Sequence, residues 1–209
     1  MMKDFSERFL KLLNEDFATL NLTRITDPEE FYQKQIIDSI EPTTLFESFD
    51  NEIKKGLHLD IGFGGGFPLL PLAYKYPDTK FIGFEARRKK SDAVNEIASL
   101  LGLENVKTYH HRIETVEIDV PCSISFKAVG KIQEFLKKIN LSSEAKVYFY
   151  KGPNVHELEN PKEKIANFRK LIDKPYGLSG TLGRTFIAYE GSIVPRGTKK
   201  NLVKLSELL

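Results

Sequence analysis

The residues able to do chemistry cluster where an apolar run meets spaced glycines. Residues 57–67 read Leu-His-Leu-Asp-Ile-Gly-Phe-Gly-Gly-Gly-Phe, and Pro68 follows. Asp60 closes the run, and Gly62, Gly64 and Gly66 recur at every second position. Glycines allow a tight turn and a close approach of backbone to ligand. A helix opening behind them turns its N–H groups toward that ligand, the chemistry of a nucleotide-type site. Two fingerprints fail. No G-x-x-x-x-G-K-[ST] run exists, which excludes a Walker loop. A dinucleotide loop needs Gly or Ala at its last position, which falls here on Phe67 or Leu69. What remains suits a ligand without a pyrophosphate. S-adenosylmethionine fits: Asp60 faces its ammonium directly or through water, and Gly62, Gly64 and Gly66 lie along its methionine and ribose. Glu85, one strand-helix-strand unit later, stands where a carboxylate accepts ribose hydroxyls. For the loop alone, a plain tight turn in an unrelated sheet is the alternative.

A strand, a loop and a helix must hold these groups, and the pattern supplies them. From residue 57 onward, strands alternate with helices. Strands are predicted over Leu57 to Ile61, Lys80 to Phe84, Val106 to His110, Cys122 to Val129 and Lys146 to Tyr150. Helices are predicted over Pro68 to Tyr76, Lys89 to Leu101 and Lys131 to Ile139. This alternation gives an α/β fold with a doubly wound, mostly parallel sheet. A further helix is expected over Pro161 to Ile172. Strands near Tyr176 to Leu178 and over Thr185 to Tyr189 then make an antiparallel edge hairpin. The first 55 residues read as helices by spacing. Phe5, Phe9, Leu13 and Phe17 line one face, and Asp27-Pro28 opens a second helix that stops near Pro42. The expected division is a helical cap over 1–55, a ligand-binding domain over 56–192 and a basic tail over 193–209.

Composition narrows the class. Hydrophobic residues make up 41% of 209, enough for a substantial core, and no apolar run is long enough to span a membrane. The first ten residues lack a signal-peptide core, and one cysteine, Cys122, fits a reducing compartment, so a cytoplasmic protein is expected. A net charge of +2 is a weak general case for nucleic acid. Local clusters at Arg87 to Lys90 and from Arg196 to Lys204 say more. His110 and His111 are adjacent, so they point to opposite faces of a strand; no metal site is expected.

A wider set of stretches carries a family resemblance. Asn21-Leu22-Thr23 precedes Asp27-Pro28-Glu29-Glu30 and Ile36-Ile37-Asp38-Ser39. The Asp60 to Pro68 loop follows, then Glu85 with Arg88-Lys89-Lys90, Leu103-Glu104-Asn105-Val106 and Arg112-Ile113-Glu114. Tyr150-Lys151-Gly152 and Pro195-Arg196-Gly197-Thr198-Lys199-Lys200 complete the series. From about Asn21 to Lys200, the chain resembles the bacterial small-subunit ribosomal RNA guanine-N7 methyltransferases, the RsmG or GidB family.

The resemblance implies a class I, Rossmann-like methyltransferase with a helical N-terminal extension, S-adenosylmethionine as cofactor and 16S ribosomal RNA as partner. It places the family's cofactor contacts on Gly62, Phe67, Ile113, Glu114 and Lys127. Three positions depart from the family pattern: Gln35 replaces a usual His, Lys127 a usual Arg, and Glu85 a usual Asp. Guanine N7 already carries an in-plane lone pair, so the reaction asks for orientation and a dry pocket rather than a general base. Asp38 and Lys127 are the candidates to hold the base edge. Arg88, Lys89, Lys151, Arg196, Lys199 and Lys200 are the candidate phosphate contacts. The expected substrate is RNA in the assembled small subunit, and the expected state is a monomer. A methyltransferase of another substrate and a non-catalytic RNA-binding protein of the same fold are the competing readings.

Overall fold

The apolar stripe of the N-terminal residues folds Met2–Asn14 into helix α1, burying Phe5, Phe9, Leu10 and Leu13. In this computed structural model the described residues are 1–177, 183–193 and 201–209. Asp27 caps α2 (Pro28–Phe31), its Oδ1 accepting the Glu30 N–H at 2.8 Å, and Pro28 fills the first turn. The helix does not stop before Pro42. It widens through a π-turn over Tyr32–Ile37 and continues as α3 (Asp38–Leu45), with Pro42 inside. A proline there removes the bond its N–H would make back to the Asp38 carbonyl; the helix ends three residues later, where the Phe46 N–H donates to Pro42 O at 2.9 Å. Helix α4 (Glu47–Ile53) follows.

The sheet then begins with β1 (Leu57–Ile61), α5 (Leu69–Lys75), β2 (Lys80–Phe84), α6 (Arg88–Leu100) and β3 (Val106–Tyr109). After these come β4 (Val116–Ile118), β5 (Cys122–Lys127), α7 (Ile132–Lys138), β6 (Asn140–Leu141), β7 (Ala145–Lys151) and α8 (Val155–Leu158). The described chain closes with β8 (Lys164–Ile165), β9 (Phe168–Tyr176), β10 (Arg184–Gly191) and β11 (Val203–Lys204). Eight strands form the main sheet in the order β3-β2-β1-β5-β7-β10-β9-β8. The first five are mutually parallel, and β10, β9 and β8 extend the sheet antiparallel.

Two expectations are corrected at this edge. Residues 161–172 are not a helix: they enter β8 and β9. Ile165, Phe168 and Ile172 have helical spacing, but Ala166 takes a left-handed φ of 52° and turns the chain between the two strands. Pairing with β10 then overrides local preference. The end of the chain is also more than a basic tail. β11 pairs with β4 in a small parallel sheet with β6, and Leu205 is buried beyond it.

Side chains alternate between faces along each strand, and each face of the main sheet carries its own core. One core takes Phe81, Tyr148, Tyr150 and Phe186 together with residues of α1, α4, α5 and α6. The opposite core takes Leu59, Ile61, Ile124, Phe126 and Phe149. The N-terminal helices thus share one core with the sheet: Phe9 of α1 stacks on Phe67 at 5.1 Å.

Candidate functional site

Strand order reverses on either side of β1, which has β2 on one side and β5 on the other. In such sheets the crevice at the strands' C-terminal ends is the ligand-binding position. The loop after β1 and the end of β5 both reach it. Gly62, Gly64 and Gly66 all have left-handed φ, at 73°, 56° and 97°, so the turn is one that side-chain-bearing residues rarely make. A Cβ on Gly64 would meet nothing within 4 Å, which leaves an open face on the loop. A Cβ on Gly65 would run into the carbonyl of Leu22, so the N-terminal extension lies directly against this loop.

Glu85 follows β2 and braces the loop. Its Oε2 accepts the Gly64 N–H at 3.2 Å, and its Oε1 accepts the Arg87 N–H at 3.0 Å. Each oxygen keeps a lone pair for a further donor. Asp60 is wholly buried beneath the loop. Its Oδ1 accepts from the Ser125 hydroxyl at 2.9 Å, and its Oδ2 has no partner in hydrogen-bond geometry among the described residues. Desolvation pushes its pKa up to about 7, against the opposing pull of the Ser125 hydroxyl, the Leu69 amide and the Lys127 ammonium.

The structure brings Asp38 and Lys127 together, with Lys127 Nζ 2.9 Å from Asp38 Oδ2. Lys127 also reaches Ser39 Oγ at 3.3 Å and lies 5.7 Å from the centre of the Phe67 ring. Burial lowers its pKa, and the Asp38 carboxylate opposes that shift. A third member, Arg184, was not singled out in the sequence. Its Nε donates to Asp38 Oδ1 at 3.1 Å across 146 residues of chain. No local spacing signals such a pair. Three more polar residues line the same side of the β1–β5 seam: His58, Ser123 and Ser125, all buried. Their signal was present as alternating polar positions within two otherwise apolar strands.

The other described candidates lie just after β2 and β3 and at the end of β7. Ile113 is buried in the opposite core, within a short turn over Ile113–Thr115, and the Glu114 carbonyl accepts from Asn140 Nδ2 at 3.1 Å. Arg88 and Lys89 are exposed in the first turn of α6. Lys151 is corrected: it is buried, and its ammonium is bound to Glu159 Oε1 at 2.7 Å and to the Val129 carbonyl at 3.2 Å. With those bonds made inside the protein, it is not a surface phosphate contact. Arg196, Lys199 and Lys200 lie outside the described residues. Among the described residues, no three His, Cys, Asp or Glu side chains group to hold a metal.

A cleft of about 740 Å³ lies elsewhere, lined by Cys122, Ala145 and Gly191 at the other end of their strands. Its Lys146 and Arg169 are paired with Glu52 and Glu190. An orphaned carboxylate oxygen beneath a glycine cradle suits a ligand with a cationic head, as S-adenosylmethionine has.

Comparisons with known proteins agree. The family profile described as rRNA small subunit methyltransferase G (GidB) matches residues 2–177. A ribosomal RNA small subunit methyltransferase G of Solibacter usitatus is 32% identical over 196 residues, covering 86% of each chain. Another, from Staphylococcus epidermidis, is 37% identical over 113 residues, a match spanning 54% of this chain and 46% of the relative. Among solved structures, an MtNAS mutant in complex with S-adenosylmethionine superposes with a TM-score of 0.56 at 15% identity, covering 87% of this chain and 72% of that one. A SAM dependent methyltransferase from Aquifex aeolicus gives 0.53 at 16%, covering 79% and 94%. At these identities, both show the fold.

Proposed function

The chain belongs to the rRNA small subunit methyltransferase G family, and on that premise we propose that it methylates N7 of a guanine in 16S ribosomal RNA with S-adenosylmethionine as donor. The observation that carries this reading is the convergence of the glycine cradle, Asp60 and the Asp38–Lys127 pair at the point where strand order reverses. When bound, S-adenosylmethionine supplies a sulfonium-activated methyl group whose transfer moves positive charge onto the purine ring.

The chain's own residues have to orient and exclude water. Gly62, Gly64 and Gly66 give the ligand a backbone to lie against, and Glu85 holds that loop while offering its remaining lone pairs to hydroxyls. Asp60 faces the cofactor's ammonium across the loop or through a water. Asp38 has both oxygens engaged by Lys127 and Arg184, which fix its orientation. Its charge offsets two cations beside a position where positive charge develops. Phe67, packed between Phe9 and Phe31, supplies a fixed apolar wall. The target base must leave its stack to enter. Exposed Arg88 and Lys89 meet phosphates outside. We place the reaction in the cytoplasm, on the assembled small subunit, with a monomeric enzyme.

Calorimetry with S-adenosylmethionine tests the cofactor: no binding at millimolar ligand sinks the enzyme reading. Mass mapping of 16S RNA from a deletion strain tests the target. Loss of one N7-methylguanine is expected; retention of every such mark overturns the assignment.

A further inference from the structure

The polar residues on one side of the β1–β5 seam form a continuous chain. The strands pair in parallel with His58 opposite Ser123 and Asp60 opposite Ser125. His58 Nδ1 lies 2.7 Å from Ser123 Oγ, and its Nε2 lies 2.9 Å from Ser125 Oγ. Ser125 Oγ in turn lies 2.9 Å from Asp60 Oδ1. All four side chains are buried, and Phe49 and Phe81 flank the imidazole. With the cofactor site placed as above, we propose that Ser123, His58 and Ser125 are positioning residues that lock the charge state of Asp60 to the tautomer of His58.

The number of protons along the chain sets the coupling. A neutral imidazole has one N–H and one acceptor nitrogen, and each serine has one O–H. When Asp60 is ionised, Ser125 donates to it. Ser125 must then accept from His58 Nε2–H, and His58 Nδ1 accepts from Ser123. When Asp60 carries a proton on Oδ1, it donates to Ser125, and Ser125 donates to Nε2. Nδ1 then carries the imidazole proton, and Ser123 turns toward the Leu57 carbonyl, which lies 3.5 Å away. Oδ2 is a poorer seat for the proton because it has no partner in hydrogen-bond geometry. These two arrangements satisfy the chain and differ by one proton and one tautomer; a third, with Ser125 turned toward the Leu59 carbonyl 3.4 Å away, keeps Nε2–H in both charge states and is the fixed-tautomer outcome of the test below.

The groups around Asp60 favour the same coupling. Lys127 on β5 favours its charge, and Leu69 at the start of α5 offers an amide. Tyr150 on β7 gives its hydroxyl to the Ser39 carbonyl, and Asp38 on α3 is engaged by Lys127 and Arg184. On α4, Asp50 bonds Tyr76, and Glu52 pairs with Lys146. Glu85 beyond β2 holds the loop amides. His58 itself is held neutral, its pKa lowered to about 3 by burial. A ligand ammonium arriving over Oδ2 selects the ionised arrangement and hence the Nε2–H tautomer.

The test is long-range 1H–15N correlation on protein labelled at its four histidines, with His58 assigned by its loss in His58→Phe. In ligand-free protein, raising the pH from about 6 to about 8 is expected to move His58 from Nδ1–H to Nε2–H while it stays neutral. Adding S-adenosylhomocysteine at the lower pH is expected to do the same. Ser125→Ala should uncouple the tautomer from pH and weaken binding about tenfold, and Ser125→Thr should restore both. A tautomer fixed across this range, or an imidazolium, overturns the proposal. If the tautomer follows pH and the ligand does not bind, the cofactor assignment falls and the relay stands.

Discussion

The two sides of the β1–β5 seam use the same backbone for opposite purposes. On one side stand Leu59, Ile61, Ile124 and Phe126; on the other stand His58, Asp60, Ser123, Ser125 and Lys127. The apolar side gains stability from burial and close packing. The polar side has every reason to be costly, since buried polar groups lose water. It avoids most of that cost through bonds among His58, Ser123, Ser125 and Asp60 and from Lys127 to Asp38 and Ser39, leaving Asp60 Oδ2 without a partner in hydrogen-bond geometry among the described residues. Apolar packing is thus loaded on one face of the strands, and the groups of the proposed cofactor site on the other.

Substitutions should separate the two. Phe126→Ala on the apolar side opens a cavity between Phe135 and Phe149. It should cost about 3–5 kcal/mol of unfolding free energy, read by urea titration, while molecules still folded bind cofactor within about threefold of the parent. Asp38→Ala leaves Lys127 and Arg184 without their carboxylate. It should cost about 3 kcal/mol, and a second change, Lys127→Met, should recover part of it. An additive double mutant would show that the pair is not coupled. Gly62→Asp puts a charge and a side chain on the loop, whose Cβ would sit 2.8 Å from Val129 Cγ1. Affinity for S-adenosylmethionine, read on the folded fraction, should fall at least about a hundredfold, or about 2.8 kcal/mol, and thermal unfolding should come earlier because the left-handed φ and the Val129 contact strain any side chain there. Unchanged affinity would remove this loop from the site.

The last test reads a slope rather than a single loss. Asp60, with a folded pKa of about 7, holds a proton that the unfolded chain releases near 4, so its contribution to stability falls as pH rises between those values. His58, lowered to about 3, refuses a proton that the unfolded chain takes up below 6.5, so its contribution rises with pH over that window. Between about pH 4 and 6.5 the two oppose each other. His58→Phe removes one of them. Relative to the parent, the variant should lose about 1.4 kcal/mol per pH unit as pH rises through that window. Parallel stability curves for parent and variant would show that the two sites do not titrate as assigned.

Much of this division was legible before the fold was. The glycine loop with Asp60 is a local signal, and Glu85 one strand-helix-strand unit later and the strand-helix alternation are read from spacing along the chain. Lys127 and Asp38 came from resemblance, and the structure brings them into contact. Arg184 was not legible because its bond to Asp38 depends on where β10 lands beside β7. Lys151 misled because its partner, Glu159, becomes visible only once α8 folds back toward β7. Residues 161–172 misled because their apolar spacing suits both a helix and an edge hairpin, and sheet pairing decides between them. Along the seam, the alternation of His58 with Asp60 and of Ser123 with Ser125 was in plain view, but a single strand does not reveal its neighbour's register.

The close approach of Leu22 to Gly65 has an evolutionary consequence. A side chain can be gained at position 65 only if the main chain at position 22 has already retreated, because a carbonyl is in the way. The two positions therefore cannot drift independently. A lineage that remodels the turn around Leu22 changes which loop sequences remain accessible to it.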